Sequence, residues 1–153
     1  MTKNNLLSSE NPDITVVIPC LNEEDTLGAC LSKLETVARD ENFALEVIVA
    51  DNGSQDKSIE IASQFNSRVV YVPRKGYGAA LMGGIEQAKA PFVLMADADD
   101  SYDFLEVPKF FQKTKEGFDL VQGCRLPRGG GKIIKGAMPW SHRHMGNPLF
   151  TFW

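Results

Sequence analysis

Three carboxylates fall within four residues at Asp97, Asp99 and Asp100, straight after the apolar run PFVLMAD, and Asp103 follows. Bare carboxylates this close repel one another and raise each other's pKa. A hard divalent cation removes that cost. Mg²⁺ takes oxygen ligands, typically one or two carboxylates together with substrate phosphates. An acidic turn that caps the next helix is the plainer alternative.

Four other clusters could act with these acids. Pro19-Cys20-Leu21-Asn22-Glu23-Glu24 follows the run ITVVIPC and opens a helix, whose first amide groups are free to meet an anion. Its carboxylates suit ribose hydroxyls or a base edge, and helix capping alone would also account for them. Asp51-Asn52-Gly53-Ser54-Gln55-Asp56 follows a second apolar run. An acid there is where nucleotide-binding sheets hold a ribose or base, although the same composition makes an ordinary turn. Arg74-Lys75-Gly76-Tyr77-Gly78 puts two cations and two glycines before a helix, which suits a phosphate. The segment RLPRGGGKIIK (125–135) sets four cations around three glycines. The planar fork of arginine fits phosphate oxygens, and a solvated basic loop is the alternative.

Some chemistries lose support. No glycine-lysine pair is followed by Ser or Thr, and no G-x-G-x-x-G occurs, which argues against a kinase or a dinucleotide enzyme. His142 and His144 are too close together for a helical i, i+4 metal pair. Cys20, Cys30 and Cys124 are odd in number and lack metal spacing, so they read as reduced thiols in a cytosolic setting.

Elements that alternate in type must position these clusters. ITVVIPC (14–20), ALEVIVAD (44–51), RVVYVP (68–73), PFVLMAD (91–97) and DLVQGCR (119–125) read as strands. Helices are expected over 23–40, 58–65, 79–89 and 105–116. Asn22 is the expected N-cap of the first, with Glu23, Glu24 and Asp25 in its first turn. Asp56 is the expected cap of the second. Such alternation implies right-handed βαβ units and a mostly parallel sheet with helices on both faces. Ligands of such sheets bind beyond the carboxyl ends of the strands, where Glu23, Asp51, Lys75 and Asp97 all fall.

The chain has 153 residues, enough for one domain with a real core, and a 43% apolar share excludes a disordered chain. Residues 1–12 read as a frayed, disordered end, 13–124 as the core, and 125–153 as a basic loop and incomplete acceptor or membrane-proximal segment. Net charge is −4 and uneven: residues 1–119 hold 11 cations and 20 acids, and 120–153 hold five cations and no acid. That asymmetry points the basic part at something anionic. Trp140, Phe150, Phe152 and Trp153 beside basic residues suit a membrane interface. No run is long and apolar enough for a transmembrane helix, and the first residues lack the apolar stretch of a secretory signal. The last residues stop inside an apolar segment, so the natural protein is expected to continue.

VVIPCLNEE, VIVADNGSQD, RKGYGAAL, VLMADADDSYDF, LVQGCR and GNPLFT, in that order over roughly 14–150, resemble family 2 glycosyltransferases of GT-A fold. The likeness is to the dolichyl- and polyprenyl-phosphate sugar transferases among them. It implies that Pro19, Leu21, Glu23, Asp51, Gly53, Lys75, Gly76, Gly78, Asp97 and Ala98 serve a nucleotide diphosphate-sugar. Asp97 and Asp99 match a DXD pair that holds Mg²⁺ or Mn²⁺, with Asp99 and Arg125 as the catalytic pair. Arg125 and the looser match Arg128 would face the phosphate of a polyprenyl lipid. The acceptor-side stretch that relatives carry beyond GNPL is not in this chain. The resemblance implies inverting, metal-dependent hexose transfer at the cytoplasmic face of a membrane, without nucleic acid as a partner. A soluble transferase with a hydroxyl acceptor, or a nucleotide-sugar-binding fragment without turnover, are the competing expectations.

Overall fold

The computed structural model describes residues 6–123. The chain divides into two units, Met1–Asp119 and Leu120–Trp153, and the elements below belong to the first.

Four parallel strands form one sheet in the order β3-β2-β1-β4: β1 (Ile14–Cys20), β2 (Leu45–Asp51), β3 (Arg68–Tyr71) and β4 (Phe92–Met95). All seven residues of β1 and of β2 are buried, as central strands covered on both faces require. Alternate residues face opposite sides. Val16 and Ile18 join a large core with Leu27, Leu31 and Leu34 of α1 (Leu27–Asp40), Ala62 of α2 (Ser58–Gln64) and Phe111 of α4 (Val107–Lys115). Val17, Ile48 and Ala50 face a second layer with Leu81 and Ile85 of α3 (Tyr77–Ile85). Gly84 brings α3 close to the sheet. A Cβ there would lie 2.5 Å from Val17 Cγ1 and 3.1 Å from Ala50 Cβ.

The chain winds outward from β1 to β3 and then returns to the other side of β1 as β4. The order reverses between β1 and β4, and the crevice beyond their carboxyl ends is the place such a sheet offers a ligand. Buried Glu46 ties the opposite end. It accepts from Thr15 Oγ1 at 2.7 Å and from the Lys89 amide at 3.0 Å, and its carboxylate lies 3.6 Å from Arg68 Nε. That carboxylate is fully partnered and acts as a staple between neighbouring segments.

Several expectations need correction. Residues 6–12 are not a frayed end: Leu7 is fully buried, its carbonyl accepts from the Val47 amide at 2.9 Å, and Ser8 bridges to Glu46. Residues 1–5 lie outside the described part. Helix α1 begins at Leu27 and not at 23, because Asn22 takes a left-handed φ of 58° and gives its side chain to another loop. No strand forms over 119–123, and the rest of the expected fifth strand lies outside the described residues. The third and fourth strands end earlier than expected, at Tyr71 and Met95. Pro108 does sit in the first turn of α4, where its missing N–H costs nothing. Cys20 and Cys30 are free, buried thiols.

Candidate functional site

A cleft of about 470 Å³ opens beyond the carboxyl ends of the strands, within the range of small-molecule sites. Pro19, Cys20, Leu21 and Glu23 form the β1 wall, Asp97, Ala98 and Asp99 the β4 wall, and Asn52, Lys75, Gly76, Tyr77 and Ala80 the remaining side. The cleft therefore sits at the point where the strand order reverses.

The loops that form it interlock. The Asn22 amide donates to Ser54 Oγ at 3.0 Å, and the Gln55 amide returns a bond to Asn22 Oδ1 at 2.8 Å. The Glu23 amide donates to Ser58 Oγ at 2.9 Å, the Glu24 amide to Asp56 Oδ2 at 3.0 Å, and the Lys57 amide to Glu24 Oε2 at 3.0 Å. Glu23, through its amide, and Glu24, through amide and carboxylate, thus pin the β1 loop to the β2 loop. Asp56 also accepts from the Ser58 amide at the start of α2.

Asn52 holds the third loop. It is only 4% exposed, and its Nδ2 donates to the carbonyls of Val72 at 2.9 Å and Arg74 at 2.8 Å. Its Oδ1 accepts from the Gly76 amide at 2.8 Å, and its carbonyl accepts from Lys75 Nζ at 2.6 Å. Gly76 has a φ of 119°, which glycine adopts freely and other residues do not.

The four-residue acidic turn is sorted by its backbone. Asp100, at a φ of 57°, turns to α1 and pairs with Lys33 at 2.8 Å. Asp97 and Asp99 remain on the cleft wall. Asp97 Oδ1 accepts from the Tyr77 hydroxyl at 2.7 Å, and Asp99 Oδ1 from the Ser101 amide at 3.0 Å. The bond to Asp97, with some burial, pushes the Tyr77 phenol up to about 12, so it remains a donor at neutral pH. Burial pushes the Cys30 thiol, behind this turn, up to about 11.

Among the described residues no three His, Cys, Asp or Glu side chains group as a ready-made cation site. Asp97 and Asp99 set two carboxylates on one wall of the cleft, a donor set that fits a hard divalent cation.

Of the residues singled out in the sequence, Pro19, Leu21, Glu23, Lys75, Gly76, Asp97, Ala98 and Asp99 line the cleft together. Asp51 lies behind it, accepting from the amides of Gly53 at 3.1 Å and Ser54 at 3.0 Å, and so shapes the loop. Gly53 and Gly78 are not on the wall either. Gly53, at a φ of 100°, lies under Lys75, whose Nζ would be 2.2 Å from an added Cβ. Arg125 and Arg128 lie outside the described residues. Asn52, Tyr77, Cys20 and Ala80 are wall residues to which sequence reasoning gave no role, although all four stand inside quoted motifs.

The sequence profile described as Glycosyl transferase family 2 matches residues 15–148. The chain belongs to that family. This family 2 chain is 38% identical over 150 residues to a low-salt glycan biosynthesis hexosyltransferase of Haloferax volcanii, covering 95% of the chain and 35% of the relative. It is 32% identical to a dolichyl-phosphate hexose transferase of the same organism, covering 76% of the chain and 50% of the relative. The chain thus spans half or less of the length of these relatives. Among solved structures, the glucosyl-3-phosphoglycerate synthase of Mycobacterium tuberculosis, in complex with Mn²⁺ and UDP-glucose, superposes with a TM-score of 0.51 at 29% identity. That match covers 65% of the family 2 chain and 38% of the synthase. The expected GT-A class, a mostly parallel sheet with helices on both faces, agrees with the fold of these neighbours.

Proposed function

We propose that this chain carries the nucleotide-sugar site of a glycosyltransferase that moves a hexose from a nucleotide diphosphate-sugar to a polyprenyl or dolichyl phosphate. One observation carries the reading: a cleft at the β1–β4 switch point has Asp97 and Asp99 on one wall and Lys75 with Gly76 on another. Relatives named for dolichyl-phosphate and undecaprenyl-phosphate transfer support the acceptor class.

In this reading Leu21, half-exposed beside Pro19, offers a flat apolar rest for the nucleoside, with Glu23 near its polar edge. The Lys75 ammonium spends one donor on the Asn52 carbonyl and turns its other donors to the diphosphate. The missing side chain at Gly76 lets the main chain approach closely. A divalent cation held by Asp97 and Asp99, Mg²⁺ or Mn²⁺, supplies charge neutralisation for the leaving diphosphate. The attacking lipid phosphate is largely ionised near pH 7, with a second pKa of about 6, so a strong general base is unnecessary. Direct attack inverts the anomeric centre. Arg125 and Arg128 orient the acceptor phosphate, and the basic, aromatic segment 125–153 sits at the cytoplasmic face of a membrane. Among the described residues no helix is long and apolar enough to cross one.

The test is a thermal-shift titration of the full chain with UDP, GDP and their hexoses, with and without Mn²⁺. Selective stabilisation that needs the cation is expected, and Asp97→Asn and Asp99→Asn each abolish it. Wild-type behaviour in both variants would sink the assignment. Sugar transfer to polyprenyl phosphate, and not to a soluble hydroxyl acceptor, is the expected outcome for the full-length protein.

A further inference from the structure

We propose that Tyr77 is a positioning residue for the acidic pair: its phenol fixes the Asp97 carboxylate in the orientation that meets a divalent cation on a bound diphosphate. This inference rests on the nucleotide-sugar reading above.

Tyr77 opens α3 and is an exposed residue on the cleft wall. An exposed tyrosine ordinarily keeps its hydroxyl in water. Here the hydroxyl crosses from the third loop to the β4 wall and donates to Asp97 Oδ1 at 2.7 Å. It engages one carboxylate oxygen, so the carboxylate cannot rotate freely about its last bond. A hydrogen bond from an outer residue to a ligating group orients that group, and its loss typically costs about 10- to 100-fold in metal affinity.

Two features fix the donor itself. The residue before Tyr77, Gly76, is held by its amide on Asn52 Oδ1 at 2.8 Å. Further along α3, Gly84 seats the helix on Val17 and Ala50 with no room for a Cβ. The helix is thus held near both of its ends, at Gly76 and at Gly84, and its first residue delivers the phenol to Asp97. Asp100, by contrast, is taken out of the cleft by Lys33. The two contacts together separate one acid for α1 from another that is aimed at the ligand.

Tyr77→Phe removes the hydroxyl and keeps the ring. UDP and GDP binding to the full chain is followed by calorimetry over a Mn²⁺ series, with free Mn²⁺ counted by electron paramagnetic resonance. The variant is expected to need about 10-fold or more Mn²⁺ for half-maximal nucleotide binding. Its melting temperature stays at the wild-type value and saturating Mn²⁺ restores nucleotide binding, which a merely structural role would not produce. An unchanged Mn²⁺ midpoint beside a responsive wild type overturns the role of Tyr77 alone. A wild type whose nucleotide binding ignores Mn²⁺ overturns the metal reading, and this inference with it.

Discussion

Asn52→Ala isolates what one buried amide contributes to the cleft. The substitution deletes three hydrogen bonds to main-chain groups: the carbonyls of Val72 and Arg74 and the amide of Gly76. Each is worth about 1 kcal/mol net, and a partner left unsatisfied costs about 1–3 kcal/mol. The loop that carries those partners is largely exposed, so water replaces part of the loss and the lower figure applies. The expected destabilisation is about 3 kcal/mol. At roughly 4 °C per kcal/mol for a domain of this size, the melting temperature falls by on the order of 10 °C. The bond from Lys75 goes to the Asn52 main-chain carbonyl and survives the change. Damage therefore starts at Gly76, whose amide should lose its protection from hydrogen exchange. Circular dichroism melting and exchange measured residue by residue read the two effects separately. A melting temperature within about 2 °C of wild type, with the Gly76 amide still protected, would refute the clamp.

Other consequences are as direct. Gly84→Ala drives a methyl to 2.5 Å from Val17 Cγ1, and overpacking of this kind costs about 1–3 kcal/mol, readable in urea unfolding. The Cys30 thiol holds its proton up to about 11 in the folded chain, against an ordinary value of 9.0. Between those values the native state binds more protons than the unfolded one, so that part of stability is intact below pH 9 and is lost as pH rises through 11. In a Cys124→Ser background, alkylation at pH 8 should be slow until denaturant exposes Cys20 and Cys30. Fast labelling of the native protein would contradict their burial.

The central strands are readable because both their faces are buried, which makes β1 and β2 largely apolar runs, broken inside by Thr15 and Glu46. The carboxyl-end rule places Glu23, Asp51, Lys75 and Asp97 just past strand ends, and Glu23, Lys75 and Asp97 line the cleft while Asp51 does not. Long-range pairing stayed hidden. Nothing near Asn22 announces that its side chain belongs to Gln55, and this bond displaces the helix start to Leu27. Leu7 looked like part of a polar end, yet its carbonyl extends the pairing of β2. Composition marked an acidic turn, but only the left-handed backbone of Asp100 decides which acid leaves the cleft. Asp51, expected at the nucleoside alongside Pro19, Leu21 and Glu23, accepts from the amides of its own turn.

The strand order also governs how the chain is made. Synthesis delivers β1, β2 and β3 before β4, so three neighbouring strands of the sheet are complete before the fourth is made. The outer edge of the fully buried, mostly apolar β1 then waits without a neighbour until Phe92–Met95 emerges. An unpaired apolar edge recruits other chains, which makes the stretch between β3 and β4 the stage at which ribosome pausing invites aggregation.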